Sequence, residues 1–147
     1  CKRAADSGWE MWFVPYKAEF TFGDMFKLRG YDLHVDTKSR VTLTLYWQAL
    51  RRPDFNYSVL VHAIDGSDQL VAQKNHALGE NLGYPPIAWW PEDIISDEHI
   101  IELPSQLASG TYRFRVGIYN WSTGERLPAL KGDYIGDSVM LARALHH

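Results

Sequence analysis

The chain has 147 residues, a length that suits one domain burying a continuous core and removing roughly two-thirds of its unfolded surface from water. Its composition, 46% hydrophobic and 14% aromatic, excludes a disordered chain, and a net charge of −3 leaves no basic surface for non-specific nucleic-acid binding. The single cysteine, Cys1, excludes an intramolecular disulfide and a cysteine-based metal site, and without an apolar run of about 18 residues this piece holds no membrane-spanning helix.

Residues 1–19 mix charge with Trp9, Met11, Trp12, Phe13 and Val14 and predict an N-terminal arm or leading strand. One domain is expected over 20–145, with His146 and His147 as a tail; Cys1 has the form of a lipidation site left by signal cleavage, but an arbitrary cut in a longer chain is the simpler account. From Phe20 to Val35 the apolar positions Phe26, Leu28, Tyr31 and Leu33 change register at Gly30, which predicts a bulge. Arg40 to Leu50 alternates cleanly, with Val41, Leu43, Leu45, Trp47 and Ala49 on one face, and predicts the most secure strand. Tyr57 to Asp65 is apolar on both faces, as a central strand is, and Asp65-Gly66-Ser67-Asp68 turns it into a hairpin with Gln69 to Leu78.

Gly79 to Asp93 (GENLGYPPIAWWPED) is too rich in proline and glycine for a strand and predicts a long loop. Ile94 to Leu103 returns as a strand. Leu107, Gly110 and Tyr112 have the spacing of a tyrosine corner, in which a tyrosine near the start of a strand bonds back across the preceding connection. Tyr112, Phe114, Val116 and Ile118 then alternate with Arg113, Arg115 and Gly117, Ser122 to Glu125 makes a turn, and Asp137 to Leu145 closes the set. About seven or eight strands with turn signals at intervals of about ten residues predict an all-β, antiparallel β-sandwich, immunoglobulin-like or jelly-roll-like.

Residues for chemistry are scarce. The nucleophile elbow, phosphate-binding loop, dinucleotide fingerprint and zinc-protease helix are all missing, so no catalytic residue, metal site or cofactor is assigned. His34, His62, His76 and His99 lie in strand-like stretches, and three on one face would bind zinc; the plainer reading makes His62 and His99 half-buried residues with a ring nitrogen bonded to backbone. Asp93, Asp97, Glu98 and Glu102 include enough carboxylates for a glycosidase pair, but along an alternating strand they read more simply as solvent-facing. Asp65 and Asp68 suit calcium less well than a hairpin turn. Asn56-Tyr57-Ser58 and Asn120-Trp121-Ser122 match the glycosylation acceptor pattern, which matters only for a chain secreted by a eukaryote.

The aromatic loop is the stronger candidate for function. Tyr84, Trp89 and Trp90 stand among Pro85, Pro86 and Pro91, which stiffen the backbone and lower the entropy cost of presenting flat rings. Trp121 begins a turn that would join the same surface. Such rings suit sugars, protein partners and membrane interfaces alike, while the competing reading folds the tryptophans inward as caps on the sandwich.

Several motifs in order resemble a β-sandwich domain attached, as a C-terminal extracytoplasmic part, to bacterial multi-spanning membrane glycosyltransferases of the dolichyl-phosphate-mannose mannosyltransferase type. They are Phe22-Gly23-Asp24, Leu28-Arg29-Gly30-Tyr31-Asp32, Val41 to Leu50, Val59-Leu60-Val61-His62, Leu70-Val71-Ala72-Gln73, Trp90-Pro91-Glu92-Asp93, Gly110 to Tyr119, and Gly124 to Pro128. Trp89-Trp90 departs from the basic residue that often precedes a single tryptophan there. The resemblance implies a non-catalytic accessory domain in the cell envelope, whose partners are a glycan or the membrane portion of a glycosyltransferase. Tyr84, Trp89, Trp90 and Trp121 are the expected ligand-binding residues. The alternatives are an interaction or structural domain docking on that enzyme and, further off, a glycoside hydrolase or metal-dependent hydrolase.

Overall fold

The computed structural model describes residues 9–10, 16–35, 40–103, 110–131 and 134–146. Among the described residues eleven strands run in chain order: β1 Trp9–Glu10, β2 Tyr16–Phe22, β3 Phe26–Val35, β4 Arg40–Ala49, β5 Ser58–Ile64, β6 Leu70–Ala77, β7 Ile94–Glu102, β8 Gly110–Tyr119, β9 Ala129–Lys131, β10 Tyr134–Gly136 and β11 Val139–His146. They form two antiparallel sheets, one ordered β1-β11-β8-β5-β6 and the other β10-β9-β2-β3-β4-β7. β4 and β7 are neighbours in one sheet, and β11, β8, β5 and β6 follow one another in the other. This is the immunoglobulin-type order, with β4 and β7 as strands B and E and β5, β6, β8 and β11 as C, C′, F and G.

The alternating stretches become strands because a period of two puts every second side chain on one face. β4 buries Val41, Leu43, Leu45, Trp47 and Ala49 while Thr42, Thr44 and Tyr46 stay partly exposed. β5 lies between β8 and β6 and is buried on both faces except at His62. The bulge expected at Gly30 is present: Leu28 pairs with Trp47 and Gly30 with Tyr46, so Arg29 is the extra residue and the next side chains keep their faces. The Asp65 turn is held by its own carboxylate, whose Oδ1 accepts from the Ser67 and Gln69 amides at 2.8 and 2.9 Å, and Arg113 pairs with Asp68. Those two carboxylates are thus engaged by the hairpin and its neighbouring strand.

The sequence reading undercounts the strands. Tyr16–Phe22 is a full strand of the second sheet that crosses the expected boundary at residue 19, and the short β9 and β10 lie in a stretch not assigned to strand. β9 exists through its partner, since Thr21 pairs with Leu130 and Phe22 with Ala129. Tyr112 is buried on β8, whereas Leu107 and the connection it belongs to lie outside the described residues.

Between the sheets Phe22, Phe26, Leu28, Leu43, Leu45 and Trp47 meet Val59, Val61, Phe114, Val116 and Ile118. Phe26 is the hub at one end of this core, edge-on to Tyr57 at 5.8 Å and to Trp89 at 5.6 Å. On the outer face of β4 the Tyr46 hydroxyl donates to Asp32 Oδ2 at 2.5 Å, and that bond, with burial second, pushes the phenol up to about 12 from 10.0. A phenol that holds its proton more tightly in the folded chain than in the unfolded one stabilises the fold below pH 10 and loses that contribution as the pH rises to about 12. Denaturant titrations across that interval are expected to show falling stability, with a smaller fall in Tyr46→Phe; identical slopes in the two proteins would reject the assignment.

Candidate functional site

Four connections meet at one end of the sandwich: residues 23–25, 50–57, 78–93 and 120–128. Backbone bonds fasten them together, from Gly23 N to Pro128 O at 2.8 Å, Leu50 N to Met25 O at 2.8 Å, Leu78 N to Tyr57 O at 3.3 Å and Glu92 N to Ala49 O at 3.0 Å. Loops gathered at one end of an immunoglobulin-type sandwich are where such scaffolds carry their binding residues.

The loop after β6 is rooted on a buried carboxylate. Asp97 lies on β7 with no solvent exposure, and its Oδ1 accepts from Gly79 N at 3.0 Å while its Oδ2 accepts from Trp47 Nε1 at 3.2 Å. His99 Nε2 stands 2.5 Å from the same Oδ2. Asp97 was expected to face solvent and His99 to be half-buried with a backbone partner; both are wholly buried and bond to each other instead. The cause is strand parity, because β7 turns Ile95, Asp97, His99 and Ile101 to the core and leaves Glu98, Ile100 and Glu102 outside. His76 stacks on His99 with ring centroids 4.2 Å apart, and burial, followed by the adjacent His99, pushes its pKa below the usual histidine range. His34 is exposed elsewhere on β3, and His62 lies on β5, where burial and then Arg115 and Arg126 lower its pKa.

From this root the chain closes on itself. Gly79, at φ 73°, accepts from Leu82 N at 3.0 Å and Tyr84 N at 3.2 Å, and short 3₁₀ turns follow at Glu80–Leu82 and Pro86–Ala88. A Cβ on Gly79 would stand 2.3 Å from Tyr84 O, so only glycine fits. Tyr84 is half-buried, and its hydroxyl bridges Ala88 O at 3.1 Å and Asp93 Oδ2 at 3.0 Å. Asp93 Oδ2 in turn accepts from Trp90 N at 3.0 Å.

The two adjacent tryptophans part company here. Trp89 has extended backbone, φ −71° and ψ 137°, and from it one ring enters the core while the next stays outside. Trp89 is fully buried against Phe26, with its indole N–H satisfied by Tyr84 O at 2.7 Å; as a ring for stacking on a ligand it is withdrawn. Trp90 is 62% exposed, and the Arg52 guanidinium lies over one face of its ring at 4.2 Å. Trp121 is 60% exposed, leans on Phe55 with centroids 5.4 Å apart, and donates from Nε1 to Asn56 O at 2.9 Å. Arg52 also donates to Ile87 O at 2.9 Å, and Ile87 N donates to Asn56 Oδ1 at 3.1 Å. Trp90 and Trp121 are therefore joined through Arg52, Ile87 and Asn56 into one surface.

Sequence reasoning missed Arg52 and singled out Asn56 only as part of a glycosylation acceptor pattern. They lie in the loop after β4, and no local pattern ties that loop to residues 86–90. Of the expected set, the structure brings Trp90 and Trp121 to the surface, keeps Tyr84 half-buried as a strut and sends Trp89 into the core. The chain matches no protein-family model, and no curated protein matches it.

Three substitutions probe the loop and its root. Gly79→Ala is expected to cost about 3 kcal/mol, from left-handed strain and the clash with Tyr84 O, whereas Gly83→Ala, at φ 62° with open space around it, should cost about 1–2 kcal/mol. Equal losses in chemical denaturation would contradict the close approach at Gly79. Asp97→Ala should lose about 3–5 kcal/mol, because it strands the donors of Gly79 and Trp47 together with His99 in the interior; a loss under about 1 kcal/mol would deny Asp97 that role.

Proposed function

We propose that this chain is a non-catalytic accessory domain that binds carbohydrate on the surface carried by Trp90 and Trp121. The observation that carries the reading is the exposure of those two rings on a backbone fixed by hydrogen bonds. A sugar presents C–H groups on one face and hydroxyls around its rim. The open face of Trp90 meets the first, and Arg52, which lies over the ring and spends one N–H on Ile87 O, meets the second. A rigid platform loses little entropy when it binds, which suits a ligand that offers few strong contacts. The sequence resemblance to domains of bacterial membrane glycosyltransferases supports reading the chain as an extracytoplasmic domain, part of a cell-envelope enzyme whose chemistry would reside in a separate membrane portion.

A second reading rests on the apolar rim of the same end. Leu82, Ile87 and Ile94 are each about half exposed, and Leu50 is more than a third exposed, an array suited to docking on the membrane portion of a glycosyltransferase.

Intrinsic tryptophan fluorescence, titrated with a panel of neutral, amino and acidic sugars and envelope polysaccharides, separates the two. Carbohydrate binding predicts a saturable change with at least one class, weakened about tenfold or more by Trp90→Ala, roughly 1.4 kcal/mol, with thermal stability unchanged. No response across the panel would sink the carbohydrate reading and leave the docking surface.

A further inference from the structure

His76, Asp97 and His99 place one ligand atom each within 4.8 Å of one another, where the edge strand β6 of one sheet meets the edge strand β7 of the other. Their nitrogens are poorly served. His99 Nδ1 and both ring nitrogens of His76 are shut off from solvent without a hydrogen bond, and a buried polar atom left unpaired costs about 1–3 kcal/mol. Apolar side chains would fill these strand positions without that penalty. Asp97, by contrast, is fully engaged, accepting from Gly79, Trp47 and His99. A proton on His99 Nε2 closes the contact with Asp97 and leaves Nδ1 as a bare lone pair, the arrangement by which a carboxylate orients a metal-ligating imidazole. Glu80, on the first turn of the loop and 59% exposed, brings Oε2 to 3.4 Å from His76 Nδ1.

We propose that His99 Nδ1, one ring nitrogen of His76 and the Glu80 carboxylate bind a divalent transition metal, zinc foremost, with Asp97 as the positioning residue behind His99. Two imidazoles and a carboxylate are a donor set that zinc accepts, with water in the fourth position. The His76 and His99 rings stack nearly parallel, tilted by 28° with centroids 4.2 Å apart, so both imidazoles stand at one spot between the two sheet edges. Seating the ion turns the His76 ring about its Cβ–Cγ bond, a movement that no hydrogen bond on that ring resists. The ion would clip the edges of the two sheets together at the root of the loop that carries Trp90. The site is independent of any sugar, so its failure would leave the carbohydrate reading standing.

The test uses the whole chain, stripped with a chelator, dialysed and titrated with zinc alone by calorimetry, with cobalt as a spectroscopic substitute. One ion per chain, a rise in melting temperature on loading and the visible absorption of low-coordinate cobalt are expected. His76→Ala, on the edge strand, should weaken binding about a hundredfold, Glu80→Ala less, and Asp97→Asn about 10- to 100-fold as an orienting carboxylate does. His62→Ala and the tail pair His146→Ala with His147→Ala should leave affinity unchanged. A wild-type chain that takes up no zinc, binding that survives His76→Ala, or binding lost with the tail pair would each overturn the proposal.

Discussion

The buried carboxylate of Asp97 is the constraint on which the rest of this end of the molecule depends. Moving a carboxylate from water into an apolar core costs several kcal/mol unless donors surround it, and here they come from three places: Trp47 on the neighbouring strand, His99 on its own strand and the amide of Gly79 at the loop root. Each donor is thereby fixed in turn. Trp47 cannot rotate without abandoning Asp97, so it presents the face against which Phe22 packs edge-on at 5.3 Å. Gly79 cannot move away from β7, so the loop begins at a defined point and in a left-handed turn that a side chain would obstruct.

The strands were legible wherever one face of the chain had to be apolar along its length. Val41 to Ala49 and Tyr112 to Ile118 have period two because they line the same core from opposite sheets, and the register break at Gly30 shows in the same pattern as a phase change. β9 and β10 were not legible, since β9 exists through pairing with Thr21 and Phe22 more than a hundred positions away, and β10 in turn exists by pairing with β9, rather than through any property of their own. Asp97 and His99 were misread for a different reason. Their parity with Ile95 and Ile101 marks them as core-facing, but a charged residue type argues for solvent, and only the three donors around Asp97 reverse that argument.

The aromatic loop was legible as a loop and as a place where rings gather, but not in the direction of each ring. Trp89 and Trp90 are chemically identical neighbours, and nothing in the sequence says which of the two goes inward. The choice falls to Trp89 because Tyr84 O is positioned to receive its indole N–H, and a tryptophan is buried cheaply only when that donor is satisfied. Tyr84 O is in position because the Tyr84 amide is held by Gly79 O, and Gly79 by Asp97.

That sequence of bonds continues to the surface. From Asp97 it passes through Gly79 to Tyr84, whose hydroxyl donates to Asp93, whose carboxylate receives the amide of Trp90. The exposed indole is thus connected to a wholly buried residue through an unbroken run of hydrogen bonds, and Arg52 settles on one face of the ring from the adjacent loop. A surface tryptophan on a free loop would lose rotational and backbone freedom on meeting a ligand, whereas this one has lost it already in folding. The interior of the sandwich and its exposed rings are two ends of one device, in which the energy of folding sets the orientation of the platform.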